Sequence, residues 1–158
     1  MQLIRELTHN YILNCAVLGW LLAQLLKAVY VWIATKKFVP ERLFGPGGMP
    51  SSHSACVSAL ALAVCRSEGF SSPAFAIAFI LACVVMYDAT SVRRQAGEHG
   101  RAINLMMDKI EDLEDPDDPD RDQDDRESVE FKEVLGHKPI EVLAGALLGI
   151  LIALVVPM

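Results

Sequence analysis

The chain has 158 residues, 53% of them AVILMFWYC and 22% DEKR, with a formal charge of −6. A mean hydropathy of +0.33 leaves a domain of this length too apolar to build a soluble surface, so the composition points to a membrane protein. The acidity is local: Glu111 to Glu127 holds eleven acids against two arginines, and the other 141 residues carry net +3 without the basic field that nucleic acid needs. Ten glycines and four cysteines, Cys15, Cys56, Cys65 and Cys83, exclude collagen-like and disulfide-scaffold classes. No CxxC spacing occurs, and the cysteines are expected to be small buried hydrophobes.

Tyr11 to Ala34 supplies the roughly 20 apolar residues a spanning helix needs, interrupted by Gln24 and Lys27. It lacks a cleavage site ahead of a polar mature domain, so it is expected to stay as a membrane helix. Ala55 to Val64 is shorter and must recruit its flanks, giving either a short span over 51–68 or a re-entrant helix. Pro73 to Tyr87 is strongly apolar, and Pro73 suits a first helical turn.

The polar stretch Arg93 to Lys138 follows. Ile103, Met106, Ile110 and Leu113 recur at helical spacing and predict an amphipathic helix against the membrane or the bundle. The acidic tract 111–127 contains two prolines and repels itself, so it predicts a disordered cytoplasmic loop, and the D-x-D-x-D-G spacing of a calcium loop is absent. A short helix is expected from Ser128 to Leu135. Ile140 to Val156 closes the chain, with Pro139 at its first position and Gly145 and Gly149 as a small-xxx-small packing face.

The fold class is therefore all-α: a polytopic membrane helix bundle of about four segments, forming a single domain over 1–158. The clusters Lys36, Lys37, Arg42 and Arg93, Arg94, Arg101 both fall on the cytoplasmic side if 51–68 and 73–88 cross and return, which puts both termini outside. A re-entrant 51–68 helix would put the two clusters on opposite faces.

Gly47 to Ala55 reads GGMPSSHSA, and serine caps and free backbone N–H groups there suit an anion, with His53 on the first turn facing it. His137 precedes Glu141 by four residues, so the carboxylate can hold one ring nitrogen and leave the other as nucleophile or base. Lys27, an ionisable group inside a membrane helix, needs a partner or an aqueous cavity unless it snorkels. Asp88 can pair with Lys27 or an arginine. Of Arg93 and Arg94, Arg93 is the better phosphate clamp. Asn14 and Gln24 are interhelical hydrogen-bond candidates, His9 and His99 are surface residues, and Asn104 could serve the site if its helix folds back.

These residues resemble the divergent PAP2 group of the PAP2 phosphatase and vanadium haloperoxidase superfamily, described as acid phosphatase/vanadium-dependent haloperoxidase-related. The similarity runs through AQLLK at Ala23 to Lys27, GGMPSSHSA, MYDATSVRRQAGEHGRAIN at Met86 to Asn104, and LGHKPIEVLAGALLGI at Leu135 to Ile150. It implies a PAP2-like membrane core in the bacterial plasma membrane. Pro50, Ser51 and His53 are similar to the P-S-x-H segment whose histidine protonates the leaving oxygen. His137, Glu141 and Val142 resemble H-x-x-x-D-V, with glutamate for aspartate. The usual S-R pair is replaced by Glu130 and Phe131, and K-x6-R-P is not reproduced.

The implied activity is metal-independent hydrolysis of a lipid or isoprenoid phosphate; familiar members of the superfamily usually work on the outer face, whereas the basic clusters here place His53 and His137 near the cytoplasmic face. His53, His137 and Glu141 would be catalytic, and Lys27, Ser51, Ser52, Asp88, Arg93 and Arg94 would bind substrate. No cofactor or metal is called for; the partners are membrane lipid and the amphiphilic phosphate, and oligomeric state is open. The alternative is a non-catalytic membrane binding, scaffold or transport-related protein that retains a PAP2-like anion site. A vanadium haloperoxidase reading ranks lower, because its oxyanion needs arginines that are not matched.

Overall fold

The computed structural model describes residues 1, 5–6, 8–36, 48–113 and 136–158. Among them are five main helices and no strand: α1 (Tyr11–Thr35), α2 (Ser52–Glu68), α3 (Pro73–Thr90), α4 (Val92–Leu113) and α5 (Pro139–Val155). The chain sets their boundaries locally. Asn10 caps α1 by accepting from the Leu13 amide at 3.0 Å, and Ser72 caps α3 by accepting from Phe75 at 3.1 Å. Pro73 and Pro139 occupy first-turn positions, where the missing N–H costs nothing.

α2 is the central helix, packed against α1, α3 and α5. Its small residues make this fit possible: Ser54, Ala55, Ala59 and Ala63 are fully buried. A Cβ at Gly19 would lie 2.9 Å from the Ala55 carbonyl oxygen. A Cβ at Gly145 would run into the Ser51 carbonyl, and one at Gly149 into that of Ala55. The small-xxx-small face of α5 is thus used within the chain, against α2.

Contacts at both ends fix helix direction. The Ser51 amide donates to the Glu141 carbonyl at 3.0 Å where α2 and α5 begin, and Arg66 donates to the Val156 carbonyl at 3.0 Å where both finish. α2 and α5 are therefore parallel over their full lengths. Tyr11, at the start of α1, donates to the Ala153 carbonyl at 3.0 Å, so α1 runs the opposite way. The His137 amide donates to the Ala89 carbonyl at 2.9 Å, which brings the end of α3 to the beginning of α5. α1 and α3 run toward one end of a four-helix bundle, and α2 and α5 run away from it.

Large apolar side chains cover the outside, including Leu25, Ile33, Ile77, Ile80, Leu147 and Leu151. Water-facing surfaces do not carry so continuous an apolar belt. Two helical stretches, Tyr11–Ile33 and Pro73–Ile110, are long and apolar enough to cross a membrane; the apolar Pro139–Val155 is shorter.

Several boundaries differ from the sequence reading. The amphipathic helix expected from the spacing of Ile103, Met106, Ile110 and Leu113 begins at Val92, because only Ser91 separates it from α3 and the helical hydrogen bonding resumes at once. Its last residues, 111–113, take the first part of the acidic tract into the helix; the remainder of that tract, and the helix expected at Ser128 to Leu135, lie outside the described residues. Cys15 and Cys65 are buried and Cys56 is half-buried, but Cys83 is exposed. Cys83 sits on the outer side of α3 beside Val84, in the apolar belt, where a weakly polar thiol is tolerated.

Candidate functional site

The site lies where α1 and α3 end and α2 and α5 begin. Ser51 starts it: its Oγ accepts from the Ser54 amide at 3.4 Å and from the Ser54 hydroxyl at 3.1 Å. Capping leaves the first-turn N–H groups of α2 at the positive end of the helix dipole. His53 is exposed on this first turn, while Ser51 and Ser52 are buried beneath it.

His137 is only 5% exposed and is held from three directions. Its amide bonds to Ala89, as above, and its Nδ1 lies 3.0 Å from Glu141 Oε2. A carboxylate only accepts, so this contact puts the ring proton on Nδ1 and leaves Nε2 as the lone-pair nitrogen. The same Glu141 oxygen accepts from the Lys138 amide at 3.3 Å, which fixes the carboxylate against the start of α5. Gly136 makes the third restraint. Its φ is +86°, and a Cβ there would sit 2.5 Å from the Arg94 nitrogen and 2.9 Å from the Arg93 carbonyl carbon. Only glycine lets the segment before His137 lie this close to the first turn of α4.

The two imidazoles face each other with centroids 6.3 Å apart and planes at 62°. Between and around them is a pocket of about 290 Å³, its open mouth included, lined by His53, Val85, Asp88, Ala89, Arg93, Gly136 and His137. Arg93 donates through Nε to Asp88 Oδ2 at 2.5 Å, and both side chains are partly exposed. The contact uses Nε, so Asp88 does not consume the terminal nitrogens of the guanidinium. Lys27 is 2% exposed, its stem packed along Gly48, and a Cβ on that glycine would lie 3.5 Å from Lys27 Cδ. The charges of Arg93 and Asp88 lie beside His53 in this pocket.

Of the residues singled out in the sequence, His53, His137, Asp88 and Arg93 line one pocket and Glu141 orients one of them. Lys27 is buried against Gly48 and is not among the lining residues. Ser51 and Ser52 build the helix start rather than the lining. Arg94 turns away and pairs with Glu98 at 3.1 Å, and neither His99 nor Asn104 is among the lining residues. Val85, Ala89 and Gly136 escaped the sequence reading. Only Gly136 left a signal, as a glycine directly before the histidine.

Arg66 was also missed. It hydrogen-bonds the Tyr11 hydroxyl at 2.6 Å and the carbonyls of Ala153 and Val156, at the end of the bundle away from the pocket.

Comparison with known proteins agrees with the arrangement. The model of the divergent PAP2 family matches residues 8–152. The chain is 39% identical over 151 residues to the uncharacterized membrane protein YuiD of Bacillus subtilis (strain 168), covering 95% of this chain and 96% of that relative. No solved structure matches. A family match spanning the pocket and all four bundle helices, with an apolar belt around them, makes this chain a membrane protein of the divergent PAP2 family.

Proposed function

We propose that the chain is a membrane phosphatase that hydrolyses the phosphate monoester or diphosphate of an amphiphilic substrate, a lipid or isoprenoid phosphate, through a phosphohistidine at His137. One observation carries this reading: His137, bound to Glu141 through Nδ1, shares a pocket with His53 and Arg93. An oriented imidazole, a second imidazole and a cation are the parts that phosphoryl transfer to histidine requires. The apolar belt beside the pocket suits a substrate whose tail remains in lipid.

In the first step the Nε2 lone pair of His137 attacks phosphorus as the P–O bond to the leaving group breaks. Protonated His53 gives its proton to the departing oxygen. Glu141 accepts a hydrogen bond from Nδ1–H and balances the positive ring. Arg93, with buried Lys27 as a second cation, opposes the negative charge on the phosphoryl oxygens. In the second step His53, now neutral, takes a proton from water while that water attacks phosphorus. The P–N bond breaks, its electron pair returns to Nε2, and phosphate leaves.

The test is phosphate release by purified full-length protein from lipid and isoprenoid phosphates. His137→Ala is expected to lower turnover roughly a thousandfold; unchanged turnover rejects the assignment. The non-catalytic alternative is favoured by the ion pair already formed between Arg93 and Asp88. It predicts that inorganic phosphate binds the wild-type protein without any turnover.

The same reading takes the four bundle helices as four membrane passes in a bacterial plasma membrane. A 17-residue helix such as α2 or α5 is about 26 Å long, close to the hydrocarbon thickness. Arg93, Arg94 and Arg101 at the pocket end favour the cytoplasmic face for the site. Arg101→Cys is expected to react with an impermeant thiol reagent only from inside, and Ser67→Cys only from outside. The opposite pattern overturns the sidedness.

A further inference from the structure

Within the chain, α4 packs on α3 and on none of the other described helices. Its apolar residues stay uncovered: Val92, Ile103, Met106 and Ile110 are between 40% and 63% exposed. The helix has 22 residues and is therefore about 33 Å long. A stripe of that length is far more apolar surface than a water-facing helix carries without a partner.

The spacing of the stripe says what kind of partner fits. Val92, Ala96, His99, Ile103, Met106, Ile110 and Leu113 follow one another at intervals of four and three without exception. This is a heptad seam over three repeats, with Ala96, Ile103 and Ile110 at one core position and Val92, His99, Met106 and Leu113 at the other. The rest of the surface carries Arg94, Glu98, Arg101 and Asp108 together with exposed Leu105 and Met107. A helix resting on anionic lipid is instead rich in lysine and arginine on its polar face. Over α4 as a whole, Arg93, Arg94, Arg101 and Lys109 are matched by Glu98, Asp108, Glu111 and Asp112, so net attraction to such a surface is absent.

We infer that α4 is the pairing helix of a homodimer, its seam covered by α4 of a second copy of this chain in a parallel two-stranded coiled coil. Two physical arguments support a second copy. Chains inserted in one membrane share one orientation and are confined to two dimensions, which lowers the cost of bringing two α4 helices together. β-Branched Ile103 and Ile110 at one core position, with Met106 and Leu113 at the other, are the pattern that favours two parallel strands. His99 is the one polar residue in the seam, and in register it meets His99 of the partner subunit. A single polar layer of this kind costs stability and fixes alignment. The inference is independent of whether the pocket is catalytic.

The test is disulfide trapping of the full-length protein in its native membrane, with the wild-type chain as control for its own four cysteines. Ile103→Cys and Ile110→Cys, both in the seam, are expected to give at least tenfold more cross-linked dimer than Arg101→Cys and Asp108→Cys on the outer side. Equal trapping at all four positions, or none at the seam positions, overturns the dimer. Adding Ile110→Asp to the Ile103→Cys chain should abolish the cross-link, whereas adding Asp108→Ala should leave it. Because both added substitutions fall on exposed positions, the fold itself is not at stake. If a probe at residue 103 is quenched by a lipid-borne quencher while no dimer forms, the bilayer covers the seam and the inference fails.

Discussion

The two ends of the bundle hold polar groups in opposite ways. At the end where α2 and α5 finish, Arg66 binds the Tyr11 hydroxyl and the last carbonyls of α5, and its guanidinium also lies 5.5 Å from the centre of the Tyr11 ring. These carbonyls have no helical partner of their own; Ala153 also accepts from Tyr11, and the arginine supplies the donor that Val156 would otherwise lack in an apolar setting. At the other end His137 is fixed equally firmly by Ala89 and Glu141, yet its remaining ring edge adjoins a pocket shared with His53 and Arg93. Full satisfaction suits a structural fastening, whereas rigid support beside open space is what the proposed chemistry would need.

Substitutions that affect one end alone can break this contrast. The largest effect is expected for Glu141→Gln. Glutamine still offers an oxygen to His137 Nδ1 and to the Lys138 amide, so stability should change by less than about 1 kcal/mol. It cannot balance a positive imidazole, and loss of the orienting carboxylate from a catalytic histidine is severe. A fall in turnover on the order of a hundredfold or more is expected. Steady-state phosphate release and thermal unfolding in detergent, measured on the same preparation, separate the two. A variant that unfolds early while its folded fraction remains fully active would make Glu141 only a fastening, like Arg66.

Arg66→Met reverses the expectation. It removes the donor to the Tyr11 hydroxyl and to the carbonyls of Ala153 and Val156; Ala153 keeps its bond from Tyr11, while Val156 loses its side-chain donor, at a cost of about 1–3 kcal/mol. Turnover per folded molecule should stay at the wild-type level, since the change lies at the far end of α2. Loss of activity at unchanged stability would show that the two ends are coupled through α2 and that the contrast is false.

How far the sequence reveals these features follows from how local their causes are. The helices are legible because apolar runs, serine caps and first-turn prolines act over a few residues. The His137 and Glu141 pair is legible for the same reason: four residues along a helix start is a contact within one turn. The juxtaposition of His53 with His137 spans 84 positions in the chain and depends on Gly145 and Gly149 letting α5 lie against α2. Nothing near either histidine announces it, and only the resemblance to a family suggested it. Arg66 stayed hidden because its partners, the Tyr11 hydroxyl and the carbonyls of Ala153 and Val156, lie 55 to 90 residues away, and carbonyls have no sequence signature. The start of α4 has no such signal, because the apolar spacing that reveals the helix lies in its second half and Arg93 to Glu98 contains few apolar residues.

The smallest effect sharpens the contrast most. Among the described residues Asp88 is the one carboxylate lining the pocket, and it holds Arg93 through Nε at 2.5 Å. A phosphate entering the pocket therefore meets a cation whose charge is partly offset and a carboxylate that repels it. Asp88→Asn keeps an oxygen for Nε and so keeps the guanidinium in place, while removing the negative charge. Both side chains are at least a third exposed, and such pairs are worth about 0.2–1 kcal/mol, so phosphate affinity should tighten by no more than about fivefold. Calorimetric titration of the purified protein with inorganic phosphate measures this directly. Tighter binding makes Asp88 a counterweight that an incoming anion must overcome, and a pocket end deliberately left short of full satisfaction. Weaker binding would mean that Asp88's charge is needed to hold Arg93, which would bring this end of the bundle closer to the Arg66 fastening.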